Sequence, residues 1–223
     1  MSKTVLITGA SKGIGKALAE RMLNKNYIVI GTSRSGSIDI KDDNFYTFKL
    51  DLSDQTSIEE AQKQIHGKFE KIDILINNAG IGPDLHFDFP EKDSFEQTFD
   101  VNVKGLVFFT EALINLIPKG GIILNVSSKM GSLDVCVKSS SVAYRMSKSA
   151  LNMYTKILTN RLQNNIRVAC IHPGWVKTTI FESNLIYATL TPEVSAKKIF
   201  EFMNSDFKHG IYWDCEDGIE LPW

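Results

Sequence analysis

Short apolar runs alternate along the chain with longer stretches whose apolar residues recur every three or four positions. The runs are residues 5–8, 27–32, 45–50, 72–76, 121–126 and 166–171, rich in Ile, Val and Leu and bounded by Gly, Pro, Asn or Asp. Runs of this length and punctuation predict strands buried on both faces. Helical spacing covers 16–24, 53–69, 95–117 and 141–163, and a last helix runs to about 204. Ser53-Asp54 and Thr191-Pro192 supply capping residues at two helix starts, and Pro118 with Gly120-Gly121 stops the third helix. A short strand at 210–213 ends the series. Strand–helix alternation from end to end predicts an α/β fold of Rossmann type, a doubly wound and predominantly parallel sheet of about seven strands with helices on both faces. A single dinucleotide-binding catalytic domain is expected over residues 1–223. Ligands of such sheets bind beyond the carboxyl ends of the strands. That singles out the loops starting at Gly9, Thr32, Asp51, Asn77, Ser127 and Pro173.

Two stretches carry chemistry by their residues alone. Thr8-Gly9-Ala10-Ser11-Lys12-Gly13-Ile14-Gly15 follows the first strand and opens a helix. It is not a G-x-G-x-x-G loop, yet the missing side chains still allow a tight turn. They also let a pyrophosphate approach the N–H groups of a helix N-terminus. Tyr144 and Lys148 are four residues apart in a helical stretch, which puts them on one face about one turn apart. An ammonium beside a phenol favours the phenolate. Tyr144 is therefore expected to have a lowered pKa and to give or take a proton near neutral pH.

Charge and cysteine usage narrow the partners. Lys plus Arg is 25 and Asp plus Glu is 26, so the basic excess of a general nucleic-acid binder is missing. Cys136, Cys170 and Cys215 make no CxxC pair and no disulfide framework, which fits a reducing compartment. The N-terminal apolar run is too short for a signal peptide, and no run approaches the ~18 residues of a spanning helix. The expectation is a cytoplasmic protein with no nucleic-acid, membrane or metal partner.

Taken in order, TGASKGIG at 8–15, Asp51-Leu52, NNAG at 77–80, Asn102, Ser127-Ser128, YRMSK at 144–148 and PGWVKT at 173–178 resemble the short-chain dehydrogenase/reductase family. The brief ending Asp217-Gly-Ile-Glu-Leu-Pro-Trp223 resembles its carbonyl reductase-like branch, the sniffer and C-factor types. The resemblance implies a nicotinamide cofactor held by Gly9, Ser11, Lys12, Gly13, Ile14 and Gly15. It places Asp51 and Leu52 at the adenine, Asn78, Ala79 and Gly80 at the adenosine ribose, and Pro173, Gly174, Trp175, Val176 and Thr178 at the nicotinamide. It implies four catalytic residues. Ser128 bonds the substrate oxygen, Tyr144 gives the proton, Lys148 binds the nicotinamide ribose, and Asn102 breaks its helix and holds a water of the proton path.

The second strand ends Gly31-Thr32-Ser33-Arg34, with no acid to accept from a ribose 2′-OH. Arg34 and Ser33 suit a 2′-phosphate, and Lys12 adds a second cation, so NADP(H) is expected over NAD(H). The gap from Ser128 to Tyr144 is 144 − 128 = 16, three residues wider than the family pattern. Ser132 stands nearer the usual gap, but Ser128 ends the apolar strand run and is preferred. His172 precedes Pro173 at a strand end and reads as structural. Trp175 and Phe181 are candidates for one wall of the substrate site. The short segment 180–190 suggests an open or small site and a broad range of small-molecule carbonyl substrates. The reaction expected is NADPH-dependent reduction of an aldehyde or ketone. The alternative is a dinucleotide-binding signalling or scaffold protein of the C-factor type with little turnover. Homodimer, homotetramer and monomer are all open.

Overall fold

The computed structural model describes residues 2–163 and 165–223. Strand β1 (Thr4–Ile7) leads through the glycine-rich turn into α1 (Gly13–Leu23), then β2 (Ile28–Ser33) and β3 (Phe45–Lys49). Helix α2 (Gln55–Lys68) is followed by β4 (Ile74–Asn77), α3 (Lys92–Phe99) and α4 (Leu106–Leu113). After β5 (Gly121–Val126) come α5 (Val142–Arg161), β6 (Ile166–His172), the single turn α6 (Asn184–Tyr187) and α7 (Pro192–Met203). Strands β7 (Ile211–Asp214) and β8 (Ile219–Glu220) complete the chain.

The sheet order is β3-β2-β1-β4-β5-β6-β7-β8. Every pairing up to β7 is parallel, and β8 adds an antiparallel edge. The sheet thus has eight strands instead of about seven, because the two-residue β8 carries too little apolar pattern to be seen in the sequence.

The apolar runs divide by alternation. Val5, Ile7, Val29, Ile74, Ile76, Ile122, Leu124 and Ile171 face one core with Leu18 and Met22 of α1 and Ile199 and Phe202 of α7. Leu6, Ile30, Leu75, Ile123 and Val168 face the other, with Ile58 and Ile65 of α2, Phe109 and Leu113 of α4, and Leu151 and Leu158 of α5. In β1, β4 and β5 every residue is therefore buried whichever way it points, so these strands read as continuous apolar runs.

The stretch 95–117, expected as one helix, is not regular. It begins earlier, at Lys92, changes to a π-helical turn over Asp100–Gly105, resumes as α4 and ends in a 3₁₀ turn, Ile114–Leu116. The wide turn has two tertiary causes. The Asn102 side chain is drawn onto the backbone of Ile81. Gly105 lies against Leu52, where an added Cβ would stand 1.9 Å from the Leu52 carbonyl oxygen. The strand order reverses between β1 and β4, and the carboxyl ends of both open onto this turn. A doubly wound sheet holds its ligand crevice at such a point.

Candidate active site

Hydrogen bonds and glycines hold the loops after β1 and β4 together. The Thr8 hydroxyl accepts from the N–H groups of Asn78 and Ala79, both at 3.0 Å. Asn78 Nδ2 donates to the carbonyls of Thr8 at 2.9 Å and Gly9 at 3.2 Å. Gly9 takes φ +69°, and a Cβ there would stand 3.0 Å from the Ala79 Cα. A Cβ at Gly15 would stand 2.2 Å from the Gly9 carbonyl oxygen. No acid occupies the first turn of α1, so its N-terminal N–H groups and positive dipole end face no carboxylate of their own helix. This cradle, open at Ser11 and Lys12 and closed to side chains behind, fits a bound pyrophosphate.

Thr178 reaches the cradle from the far side of the cleft, and a Cβ on Gly13 would meet its Cγ2 at 3.3 Å. Its segment is anchored by Ser195 Oγ donating to the Pro173 carbonyl at 2.7 Å, and by the Trp175 N–H donating to Glu216 at 2.8 Å. The Trp175 indole donates to Asn184 of α6 at 2.9 Å. Val176 bridges Leu190, closing 176–190 into a loop whose Phe181 stacks on His86 at 5.7 Å.

At the end of β2, Arg34 is exposed and neither it nor Lys12 enters an ion pair among the described residues. Ser33 is differently engaged from the sequence expectation. Ser33 is 5 % exposed and its hydroxyl donates to the Ser37 carbonyl at 3.1 Å, while Ser35 and Ser37 are the exposed serines of the loop. Asp51 accepts from the Ser53 hydroxyl at 2.6 Å and N–H at 2.9 Å. The Ser53 bonds, with Arg34 and Lys49 nearby, hold its carboxyl below the usual range. Leu52 is buried against Gly105.

The catalytic candidates converge beside Gly80, where a Cβ would stand 3.3 Å from Asn102 Oδ1 and 3.4 Å from Lys148 Nζ. Asn102 is fully buried. Its Oδ1 accepts from the Ile81 N–H at 2.9 Å, and its Nδ2 donates to the Ile81 carbonyl at 2.8 Å and to Ser147 at 3.1 Å. With its side chain fully committed, Asn102 fastens the loop after β4 to helix α5. Lys148 donates to the Val126 carbonyl at 3.1 Å, and its ammonium stands 5.5 Å from the centre of the Tyr144 ring. Ser128 caps the turn Lys129–Gly131, accepting from the Met130 N–H at 3.2 Å, and its carbonyl accepts from the Tyr212 hydroxyl. Gly131 keeps this turn tight against α5, since a Cβ there would stand 2.7 Å from the Lys148 backbone.

Of the two serines, Ser128 faces the phenol. Ser132 donates instead to the Pro222 carbonyl at 2.7 Å and is 1 % exposed. The wide gap between Ser128 and Tyr144 is taken up by the loop 133–140, whose Leu133 and Val137 are 77 % and 90 % exposed.

The electrostatics of the pair differ from the sequence expectation. Burial pushes the Tyr144 phenol up to about 12, against the pull of Ser128 and with a smaller push from Asp84. The same burial pushes Lys148 down to about 8. Spacing alone predicts a lowered phenol. A dry site penalises the phenolate and the ammonium together, and the weakened ammonium does not compensate. Asp84, which the sequence reading passed over, is 1 % exposed and accepts from the Tyr144 N–H. Its only sequence signal is an acid after Gly82-Pro83 in a loop at the right end of a strand.

A parallel sheet with a nucleotide cradle at its switch point, beside a Ser–Tyr–Lys cluster, defines a dinucleotide-dependent oxidoreductase fold. Residues 3–185 match the family model for short chain dehydrogenases. An uncharacterized oxidoreductase of Schizosaccharomyces pombe is 34 % identical over 85 % of this chain and 66 % of its own length. A 3-oxoacyl-(acyl-carrier-protein) reductase of Buchnera aphidicola is 35 % identical over 80 % of this chain and 75 % of its own. Among solved structures, the carbonyl reductase Sniffer of D. melanogaster superposes with a TM-score of 0.87 at 26 % identity, covering 100 % of both chains. A Burkholderia multivorans short-chain dehydrogenase/reductase with bound NADP gives the same TM-score, identity and coverage. The chain belongs to the short-chain dehydrogenase/reductase family of oxidoreductases. Its structural neighbours include that family's carbonyl reductases. Among the described residues, no helix is long and apolar enough to cross a membrane.

Proposed function

We propose that this protein reduces the carbonyl group of an aldehyde or ketone with NADPH. The observation that carries the reading is the convergence of Ser128, Tyr144 and Lys148 beside Gly80, at the open end of a cradle that fits a dinucleotide. Gly9, Ser11, Lys12, Gly13, Ile14 and Gly15 would hold the pyrophosphate. Asp51 and Leu52 would meet the adenine, Asn78, Ala79 and Gly80 the adenosine ribose, and Pro173, Gly174, Trp175, Val176 and Thr178 the nicotinamide. Exposed Arg34 and Lys12 support a 2′-phosphate and hence NADP(H) over NAD(H), as does the NADP bound by the B. multivorans relative. The bound cofactor supplies the hydride.

Ser128 seats the carbonyl oxygen, and Tyr144 gives that oxygen its proton. A phenol pushed up to about 12 is fully protonated at neutral pH, which suits a donor in the reducing direction. Lys148, fixed on the Val126 carbonyl, donates to the nicotinamide ribose and lends positive charge as the phenol gives up its proton. Asn102 supports the proton path by holding the π-helical turn beside Gly80. The exposed apolar side chains Phe108, Met153 and Ile157 on α4 and α5 support self-association through these helices.

The test is NADPH oxidation with aldehydes, ketones, diketones and quinones, for the wild type and Tyr144→Phe. The expected result is turnover that falls about a thousandfold in the variant, with NADPH preferred over NADH by well over tenfold. A Tyr144→Phe protein with wild-type turnover refutes the proton-donor role. NADPH binding without turnover on any class favours a dinucleotide-binding signalling protein.

A further inference from the structure

Helix α5 carries a third polar side chain on the side that bears Tyr144 and Lys148. Asn152, one turn beyond Lys148, is 4 % exposed. Its Oδ1 accepts from the Ser127 hydroxyl at 2.8 Å and from the Cys170 thiol of β6 at 3.0 Å. Its Nδ2 donates to the Gly131 carbonyl at 3.0 Å. Burial pushes the Cys170 thiol up to about 12, so it keeps the proton it donates. A flipped amide would set its carbonyl against that of Gly131, so one orientation serves all three partners. A leucine would fill the same space without burying an amide. What the amide adds is a hold on both ends of one turn. Ser127 precedes Ser128, and Gly131 closes the turn behind it. Between them the Ser128 hydroxyl accepts from the Met130 N–H at 3.2 Å, and its carbonyl accepts from the Gly131 N–H at 2.8 Å. The Gly131 carbonyl also accepts from the Ser149 hydroxyl at 2.9 Å, a second bond to α5.

We propose that Asn152 is a positioning residue for Ser128, gripping both ends of the Ser127–Gly131 turn from the helix that bears the phenol. The inference rests on the reading of Ser128 as the seat of the carbonyl oxygen. Tyr144, Lys148 and Asn152 follow one another by a turn each on one continuous helix, so helix geometry sets their relative places. Through Asn152 the turn, and Ser128 with it, is held to that same frame. The loop 133–140 begins only beyond the grip. The residues by which the gap from Ser128 to Tyr144 exceeds the family pattern therefore enter without moving the serine. Ser132, on the far side of the grip, bonds Pro222 instead.

The test is a double-mutant cycle with Ser128→Ala, read by NADPH-dependent reduction of a carbonyl compound that the wild type turns over. Amide hydrogen exchange of ¹⁵N-labelled protein runs beside it. Asn152→Leu removes all three bonds at similar volume. Ser127→Ala removes one and is the milder variant should Asn152→Leu not fold. The expected result is a fall in kcat of about tenfold or more in Asn152→Leu and about fivefold in Ser127→Ala, with the Kd for NADPH unchanged. In the Ser128→Ala background either change should cost less than about twofold, because the serine it positions has lost its hydroxyl. The Met130 and Gly131 amides, both bonded to Ser128, should exchange about tenfold faster in either variant, while amides in the middle of α5 keep wild-type rates. Equal losses of kcat with and without the Ser128 hydroxyl overturn the proposal, since Asn152 then supports the fold at large. Wild-type exchange at Met130 and Gly131 overturns it as well. A Ser128→Ala protein with wild-type turnover brings down the reading of Ser128 instead, while the exchange rates still judge Asn152.

Discussion

The floor and the rim of the cleft are built differently. On the floor, polar side chains are buried and committed to neighbours: Asn102 to Ile81 and Ser147, Lys148 to Val126, and Asn152 to Ser127 and Gly131. On the rim, Leu133 and Val137 on one side and Ile186 and Tyr187 on the other face solvent. Buried polar networks tolerate few changes, since each deletion strands a partner. Exposed apolar loops can change sequence at little cost to folding. On the function proposed above, the chemistry would belong to the floor and the choice of substrate to the exposed loops.

The sharpest way to break this division is at the two serines. Ser128→Ala should lower carbonyl-reduction kcat/KM about a hundredfold or more, while Ser132→Ala, whose hydroxyl serves the Pro222 carbonyl, should stay within about threefold. Steady-state kinetics at one NADPH concentration compare them. The opposite order would move the substrate oxygen to the other serine.

Asn102→Ala comes next. It strands the Ile81 N–H and carbonyl and removes the bond to Ser147, so denaturant unfolding should show a loss of about 2–4 kcal/mol together with reduced turnover. Loss of turnover at unchanged stability would separate the proton path from the scaffold.

On the rim, Val137→Ser or Tyr187→Ser should change the ratio of kcat/KM between aliphatic and aromatic carbonyls by less than about tenfold, leaving NADPH affinity and melting temperature as in the wild type. An equal effect on all substrates, or on cofactor binding, would erase the contrast between rim and floor.

The smallest expected effect is on pH dependence. Burial lowers the His172 pKa, against the partial help of Asp214, and its Nδ1 has no hydrogen-bond partner. Below pH ~6.5 the unfolded chain binds a proton that the folded chain refuses. Stability therefore falls as pH drops from there toward the lowered folded value, and is unaffected by this group above it. Unfolding at pH 7.5 and 5.5 should show the wild type losing more stability than His172→Gln. Equal losses would clear His172 of any part in acid sensitivity.

Local pattern made much of this legible. The apolar runs of β1, β4 and β5 read as strands covered on both faces, and the glycines at 9, 13 and 15 suit a tight turn with close backbone approach. The fold, the cradle and the Tyr144–Lys148 face followed from these. The π-helical turn at Asn102 was not legible as such, because its causes, Ile81, Ser147 and Leu52, are distant in sequence. Nor was Asp84, since an acid in a loop looks solvated until its burial is known.

What the chain determined by itself was set by periodicity and by residue types whose backbone or hydrogen-bonding demands are local. The tertiary structure decided the rest: which serine faces the phenol, what Ser33 bonds, and the sign of the Tyr144 shift. Each depends on how dry a group is and on which distant residue lies beside it. Desolvation and long-range packing are properties of the assembled molecule, and no window of sequence contains them.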